Sequence, residues 1–356
     1  MNCKYKKNLL WLLVSATLLT GCGGSDSNSS SDTTTKDIQV SGPIGQSISG
    51  LALGNNSEDS KDNLHNYVLA VLDNKHTSNE ENKSRFALLH IDKNDQPIVE
   101  EMDNAQQVEW NGNTIGNDLE SICKLNNDYY LAAESGYFHD KNTDNYLYGR
   151  IFLIHRSASL DPDGLINGIL EITKVYNIAN NPKDFANVNF EGLACAKAND
   201  GTDNYNILLG DRESGKLYWD SINSNDFTAP DSETLELKQV GEIKAPQDWR
   251  TNRNISDLFY STQDHLLYGA ASFDNKTTVH RSTLYRSSKA FKLESTPFME
   301  ALGPDSKVNI DKIADFKEDK IEGITGYGIQ KGMFFGSDND NNNNTYGYKL
   351  HSHITK

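Results

Sequence analysis

Five oxygen-bearing side chains return along the chain at nearly even intervals: Ser49, Glu120, Glu191, Ser256 and Glu322, separated by 71, 71, 65 and 66 residues. Each sits in the same short frame of an apolar residue, Ser or Glu, a small or polar residue, then Ile or Leu. The copies are Ile48-Ser49-Gly50-Leu51, Leu119-Glu120-Ser121-Ile122, Phe190-Glu191-Gly192-Leu193, Ile255-Ser256-Asp257-Leu258 and Ile321-Glu322-Gly323-Ile324. Carboxylates and hydroxyls in this mixture suit calcium, a hard ion that collects several oxygens, whereas magnesium keeps its waters. Zinc prefers His and Cys, and neither joins this register. Three carboxylates on one axis repel, and their protons bind more tightly unless a cation lies among them. The competing reading has the same acids starting strands and facing a water-filled channel with no ion bound. Gly50, Ser121, Gly192 and Gly323 would let backbones approach closely. Asp257 breaks that rule and is a further candidate oxygen donor.

A second acidic register lies downstream of each copy: Asp73, Glu134, Asp211 with Glu213, and Asp338 with Asp340, while the fourth copy offers Ser272 and Asp274. Basic residues fall nearby at Lys75, Arg212, Arg250 and Arg253. Acids mixed with arginine at one rim can bind a metal-bridged phosphate ester and position water for attack. This assigns catalysis to Glu134, Asp211 and Asp338, and substrate binding to Arg212, Arg253, Lys75 and Asp73. Polar turn residues would leave the same trace. The chain carries no nucleophile elbow, no phosphate-cradling P-loop and no His-Glu-x-x-His pair. Asp338-Asn339-Asp340 opens like a calcium loop, but Asn343 stands where that loop needs Gly.

Positioning these residues requires a repeating scaffold. After each copy comes a second apolar run, as in Tyr129-Tyr130-Leu131-Ala132-Ala133, and then a third, as in Arg150-Ile151-Phe152-Leu153-Ile154. Asn, Asp and Gly separate the first two runs, which reads as hairpin turns. Fourth runs occur at Leu170–Tyr176 and Leu235–Val240. Repeats of this length in an all-β chain predict a β-propeller of five four-stranded blades, the first strand of each nearest the axis. Asp37–Val40 would pair into the last blade and close the ring. A sixth blade has room only in segments 74–117 and 286–319.

The N-terminus carries Lys4, Lys6 and Lys7, an apolar run too short to span a bilayer, and Leu19-Thr20-Gly21-Cys22. It predicts a signal peptide over 1–21, lipidation of Cys22 and a Gly/Ser/Asp/Asn/Thr-rich tether over 22–36. Residues 37–356 would then form one propeller, held to the outer membrane only by its lipid and facing the periplasm or the cell surface as a monomer. Removing residues 1–22, with three Lys and no acid, moves the formal charge from −16 to −19. Such a field disfavours nucleic acid and suits a cation. Cys123 and Cys195 occupy nearly matching places in adjacent repeats, and both a disulfide and two buried thiols are compatible with that spacing.

With these motifs laid out, the chain resembles the phytase-like esterases, secreted bacterial propellers. The likeness rests on Ser49-Gly50-Leu51, Glu120-Ser121-Ile122 with Ala133-Glu134-Ser135-Gly136, Phe190-Glu191-Gly192-Leu193 with Asp211-Arg212-Glu213-Ser214, and Glu322-Gly323-Ile324 with Ser337-Asp338-Asn339-Asp340. The resemblance implies ester or phosphoester hydrolysis. The order Ser, Glu, Glu, Ser, Glu is also similar to that of the calcium-activated apyrases, which implies an axial Ca2+ on those five residues; Gly50 departs from them, where Asp is usual. The expected function is hydrolysis of a small phosphorylated substrate. Its rival is a non-catalytic propeller that binds an envelope protein or glycan. The two are distinguished by the mouth of the ring, arginine within reach of the acids for an enzyme, exposed aromatics such as Trp249 or Tyr137 for a binder.

Overall fold

The second run of the repeats is buried over long stretches, as Val68–Leu72, Tyr130–Glu134 and Tyr205–Asp211 show. A strand buried on both faces must be covered by sheets on both sides, which is what stacked blades provide. The computed structural model describes residues 47–54, 67–72, 85–91, 97–101, 109–110, 113–114, 118–157, 169–229, 232–273, 280–326, 333–338 and 346–349.

Among the described residues, five sheets have three or more strands. Blade one runs outward through Ile48–Leu53, Tyr67–Leu72, Phe86–Ile91 and Pro97–Glu101. Blade two contains Leu119–Lys124, Tyr129–Glu134, Arg150–Ser157 and Ile169–Asn177. Blade three contains Phe190–Lys197, Asn204–Asp211, Lys216–Asn223 and Lys238–Glu242. Blade four contains Asp257–Ser261, Leu266–Phe273, Arg281–Ser287 and Ile310–Phe316. Blade five contains Ile321–Gly326, Met333–Ser337 and Tyr346–Lys349. All pairings between successive strands within these blades are antiparallel.

The five inner strands follow one another side by side, and that of blade five returns to that of blade one. The chain is therefore an all-β propeller. Each of four successive junctions holds an apolar cluster: Val71 and Phe86 meet Ile122 and Tyr130, Leu131 and Leu153 meet Leu193 and Leu209, Leu208 and Trp219 meet Leu258 and Tyr285, and Tyr268 and Leu284 meet Ile324 and Phe335. At the closing junction, a Cβ on Gly323 would lie 2.8 Å from Leu51 Cγ. Blade five can approach blade one only because Gly stands there.

Asp257 stitches the same seam. Its carboxylate accepts the amide protons of Leu258 at 2.8 Å and Ile324 at 2.7 Å, and also that of Leu51, so three blades meet on one side chain. Its carboxylate is thus engaged by backbone amides of three blades. Burial raises its carboxyl well above the usual range, and the three amides pull the other way.

Several expectations are refined. Leu235–Val240 does not form one strand: Glu233–Thr234 adds in parallel to blade two beside Tyr176 and Asn177, and Lys238–Glu242 forms the outer edge of blade three. The crossing segment thereby covers the edge of blade two. Segment 286–319 holds a short helix, Thr296–Ala301, and the outer strand of blade four, not another blade. Cys123 and Cys195 form a disulfide between the inner strands of blades two and three. Asp37–Val40 and residues 1–36, including Cys22, lie outside the described residues. Among the described residues no helix is long and apolar enough to cross a membrane.

Candidate functional site at the axis

The recurring Ser and Glu residues are β-bulges. The register slips between Ile48 and Gly50, Leu119 and Ser121, Phe190 and Gly192, and Ile321 and Gly323, leaving Ser49, Glu120, Glu191 and Glu322 as the extra residues. Ser256 is equivalent, because its amide donates at 2.7 Å to the carbonyl of Ala270, the residue that Asp257 already faces. A bulge turns a side chain out of the in-and-out alternation of its strand. Here the turn is toward the axis. Glu191 and Glu322 belong to blades three and five, which are not neighbours, yet both accept hydrogen bonds from Arg253 Nη1, Glu191 Oε2 at 3.1 Å and Glu322 Oε1 at 2.6 Å.

From this point an alternating line of charge runs both ways. Arg212 Nη1 donates to Glu191 Oε1 at 2.6 Å, and its Nε donates to Glu213 Oε1 at 2.5 Å. On the other side Lys320 Nζ lies 3.2 Å from Glu322 Oε1 and also binds Asp338. Along the line side-chain exposure falls from 54% at Glu213 through 26% at Arg212 to 3% at Glu191, and beyond it Arg253 is 13% and Glu322 5% exposed. The line thus leads from solvent to the axis, and Arg212 is its accessible guanidinium. Buried charges persist only when paired, and each member of this line has at least one opposite neighbour.

The carboxyls respond unequally. Burial raises Glu191, opposed by Arg253 and Arg212. Burial raises Glu322 much further, Lys320 opposes it, and the negative charges of Asp338 and Glu191 add to the rise. Burial would raise Asp338 as well, but Lys320 outweighs it and holds that carboxyl well below the usual range. Burial and Lys320 thus shift Glu322 and Asp338 in opposite directions within one cluster, the kind of division used in acid–base chemistry.

The remaining axial residues differ. Ser256 Oγ lies 2.6 Å from Ser272 Oγ, so this hydroxyl is engaged within blade four. Ser49 Oγ is buried without a hydrogen-bond partner. Glu120 is buried on its own bulge. Among the described residues no group of three or more His, Cys, Asp and Glu side chains is arranged to hold a metal ion. The positive charge between Glu191 and Glu322 is the Arg253 guanidinium.

Of the second acidic register, Glu134, Asp211 and Asp338 are buried and not displayed at a rim, which is a correction, whereas Glu213 is exposed and Asp274 and Asp340 lie outside the described residues. Glu134 takes a two-pronged contact from Arg150, Nη2 at 2.6 Å and Nε at 3.0 Å, and also the Arg150 amide at 2.9 Å. Asp211 accepts the amides of Asn189 and Ser214, both at 3.0 Å, and the Ser214 hydroxyl. Both acids face the first residue of an inner strand, Leu119 and Phe190 respectively. A carboxylate enclosed there needs local donors, and the turns supply them. Asp338 alone of the three joins the axial cluster. Asp73 and Lys75 lie outside the described residues.

Sequence reasoning overlooked Lys320 and Arg150. Lys320 stands two residues before Glu322, a spacing that could have suggested it, whereas nothing local linked Arg150 to Glu134. Trp249 is buried against Tyr285, whereas Tyr137 is half-buried with its hydroxyl bonded to the backbone of Ala179.

No family model matches the sequence, and no curated protein matches it. Solved structures with a similar course include a thermostable family-43 glycoside hydrolase, at 13% identity and a TM-score of 0.43, covering 90% of this chain and 94% of that one. A GH43_1 enzyme from Xanthomonas citri is 10% identical with a TM-score of 0.45, covering 90% and 91%. An endo-arabinase from Bacteroides thetaiotaomicron VPI-5482 is 10% identical with a TM-score of 0.43, covering 89% and 97%. Likeness at this level says nothing of activity.

Proposed function

We propose that the chain is a hydrolase of phosphate esters acting at the axial mouth, in keeping with its resemblance to the phytase-like esterases. The observation that carries this reading is the pair of arginines, Arg212 and Arg253, converging on the buried Glu191 at the end of a line open to solvent. Guanidinium groups match phosphate oxygens through paired N–H donors. Arg212 binds the ester first, and Arg253 follows it deeper. Asp338, kept anionic by Lys320, accepts a proton from the attacking water. The water oxygen bonds to phosphorus as the ester P–O bond breaks, and the proton taken up by Asp338 is passed to the departing alcohol oxygen.

Donors suited to calcium are at hand in Glu191, Glu322 and the unpartnered Ser49 hydroxyl, with Glu120 and Ser256 on the same register. Arg253 competes for the two carboxylates. A bound hard cation would supply polarisation of the phosphate and a more acidic water. The chain is further proposed to be an envelope protein held by lipid on Cys22.

The test is turnover of a panel of phosphomonoesters, phosphodiesters and nucleotides by the purified chain, with and without a calcium chelator. Arg212→Gln should lower kcat/KM about a hundredfold, the scale of removing one charge-stabilising donor. Absence of turnover on every substrate would overturn the reading in favour of a non-catalytic binding propeller.

A further inference from the structure

Between the second and third strands of blade two stands a hairpin whose exposed face the proposed chemistry does not use. Its strands are Tyr137–Asp140 and Asn145–Tyr148, paired Tyr137 with Tyr148, Phe138 with Leu147 and His139 with Tyr146. The base is anchored: the Tyr137 hydroxyl donates to the Ala179 carbonyl and accepts the Ala179 amide, both at 3.1 Å. Its ring lies against the backbone of Gly149, where a Cβ would fall 2.5 Å away. The tip is braced as well. Asp140 accepts the Asn142 amide at 2.9 Å and the Thr143 hydroxyl at 2.7 Å, His139 contacts Asp144 at 2.8 Å, and the His139 and Tyr146 rings stack at 4.6 Å.

On the opposite face Phe138 and Leu147 form a cross-strand pair, 58% and 40% exposed, and they are the exposed large hydrophobics among the described residues. A lone exposed apolar residue is ordinary. Two aligned on a braced hairpin are a preformed surface, and Phe138 of the pair also lines a cavity. The cavity, ≈ 320 Å³, is lined by Asp118, Ser135, Tyr137, Phe138, Tyr148 and Asn189. Its size falls at the small end of small-molecule sites. Asn189 Nδ2 donates to Glu213 Oε2 at 3.4 Å, and Glu213 is the outer member of the line that continues to Arg212 and Glu191. The cavity and the charged line therefore share a wall. A ligand spanning them would place an anionic end on Arg212 and an apolar, ring-sized end against Phe138, with Leu147 paired beside it across the hairpin.

We infer that the hairpin holds the leaving group of the ester, and that the preferred substrates are phosphate esters of alcohols carrying a flat apolar ring. This rests on the phosphate-ester reading above. The test compares phenylphosphonate with methylphosphonate, both inert to hydrolysis, by calorimetric titration of the full chain, a Phe138→Ser/Leu147→Ser variant and Arg212→Gln. The ring should tighten binding about tenfold, the worth of roughly 55 Å² of buried apolar surface. The double variant should lose that preference, and Arg212→Gln should weaken both ligands. A preference that survives in the double variant overturns the hairpin assignment while leaving the hydrolase reading intact. Failure of the unaltered chain to bind either phosphonate overturns both. If the double variant instead loses sedimentation with anionic-lipid vesicles at unchanged phosphonate preference, the hairpin is a membrane contact and the inference falls.

Discussion

Replacing Arg253 by Gln isolates the central electrostatic claim. Arg253 bridges blades three and five, through Glu191 at 3.1 Å and Glu322 at 2.6 Å. Glutamine keeps a polar side chain there but removes the charge. Glu191 retains Arg212 and Glu322 retains Lys320, yet the two buried carboxylates then face each other across the axis with less compensation. Breaking a buried ion pair from one side costs about 3–5 kcal/mol. At roughly 2–4 °C per kcal/mol for a domain of moderate size, the midpoint should fall by roughly 6–20 °C. Scanning calorimetry in chelator measures the loss. Calcium should then restore more stability to the variant than to the parent, because its competitor for the carboxylates is gone; at a hundred times Kd the gain is about 2.7 kcal/mol. Arg253→Lys should fall between, keeping charge but losing the fork. A midpoint within about 2 °C of the parent in chelator would refute the reasoning, since less than about 1 kcal/mol would then depend on the bridge.

Three further outcomes follow from the geometry. Asp338 is depressed in the folded chain, so its contribution is present above the ordinary carboxylate pKa and is lost as pH falls through and below that value; urea midpoints from pH 6 to pH 3 should show the loss, and Lys320→Met should flatten it. Gly323→Ala should destabilise by about 1–3 kcal/mol through overpacking at the closing junction, read by denaturant unfolding, whereas the same change at Gly303, with nothing near its absent Cβ, should be close to neutral. Cys123→Ser with Cys195→Ser should lower stability by about 4 kcal/mol on the chain-entropy account of a crosslink between residues 72 apart in sequence, an effect measured by calorimetry and mimicked by reduction of the parent.

The spacing of Ser49, Glu120, Glu191, Ser256 and Glu322, with an apolar run behind each, was sufficient to read the radial array and its inner strands. Periodicity survives in sequence because every blade must bury the same two faces and turn the same corners. The close approach of inner strands was also legible at Gly50, Gly192 and Gly323, but the bulge that turns each Ser or Glu out of its strand was not. What tertiary structure decided was which charges meet. Arg253 sits three residues before Ser256 in sequence, but its partners are 62 and 69 residues away, in blades on either side of its own. The fate of Glu134 and Asp211 was likewise hidden, because their placement at strand ends suggested a rim and only packing shows them enclosed by Arg150 and by the turn amides. Local sequence records the repeating backbone path; the pairing of charges depends on how that path closes on itself, and closure brings together residues that no local pattern connects.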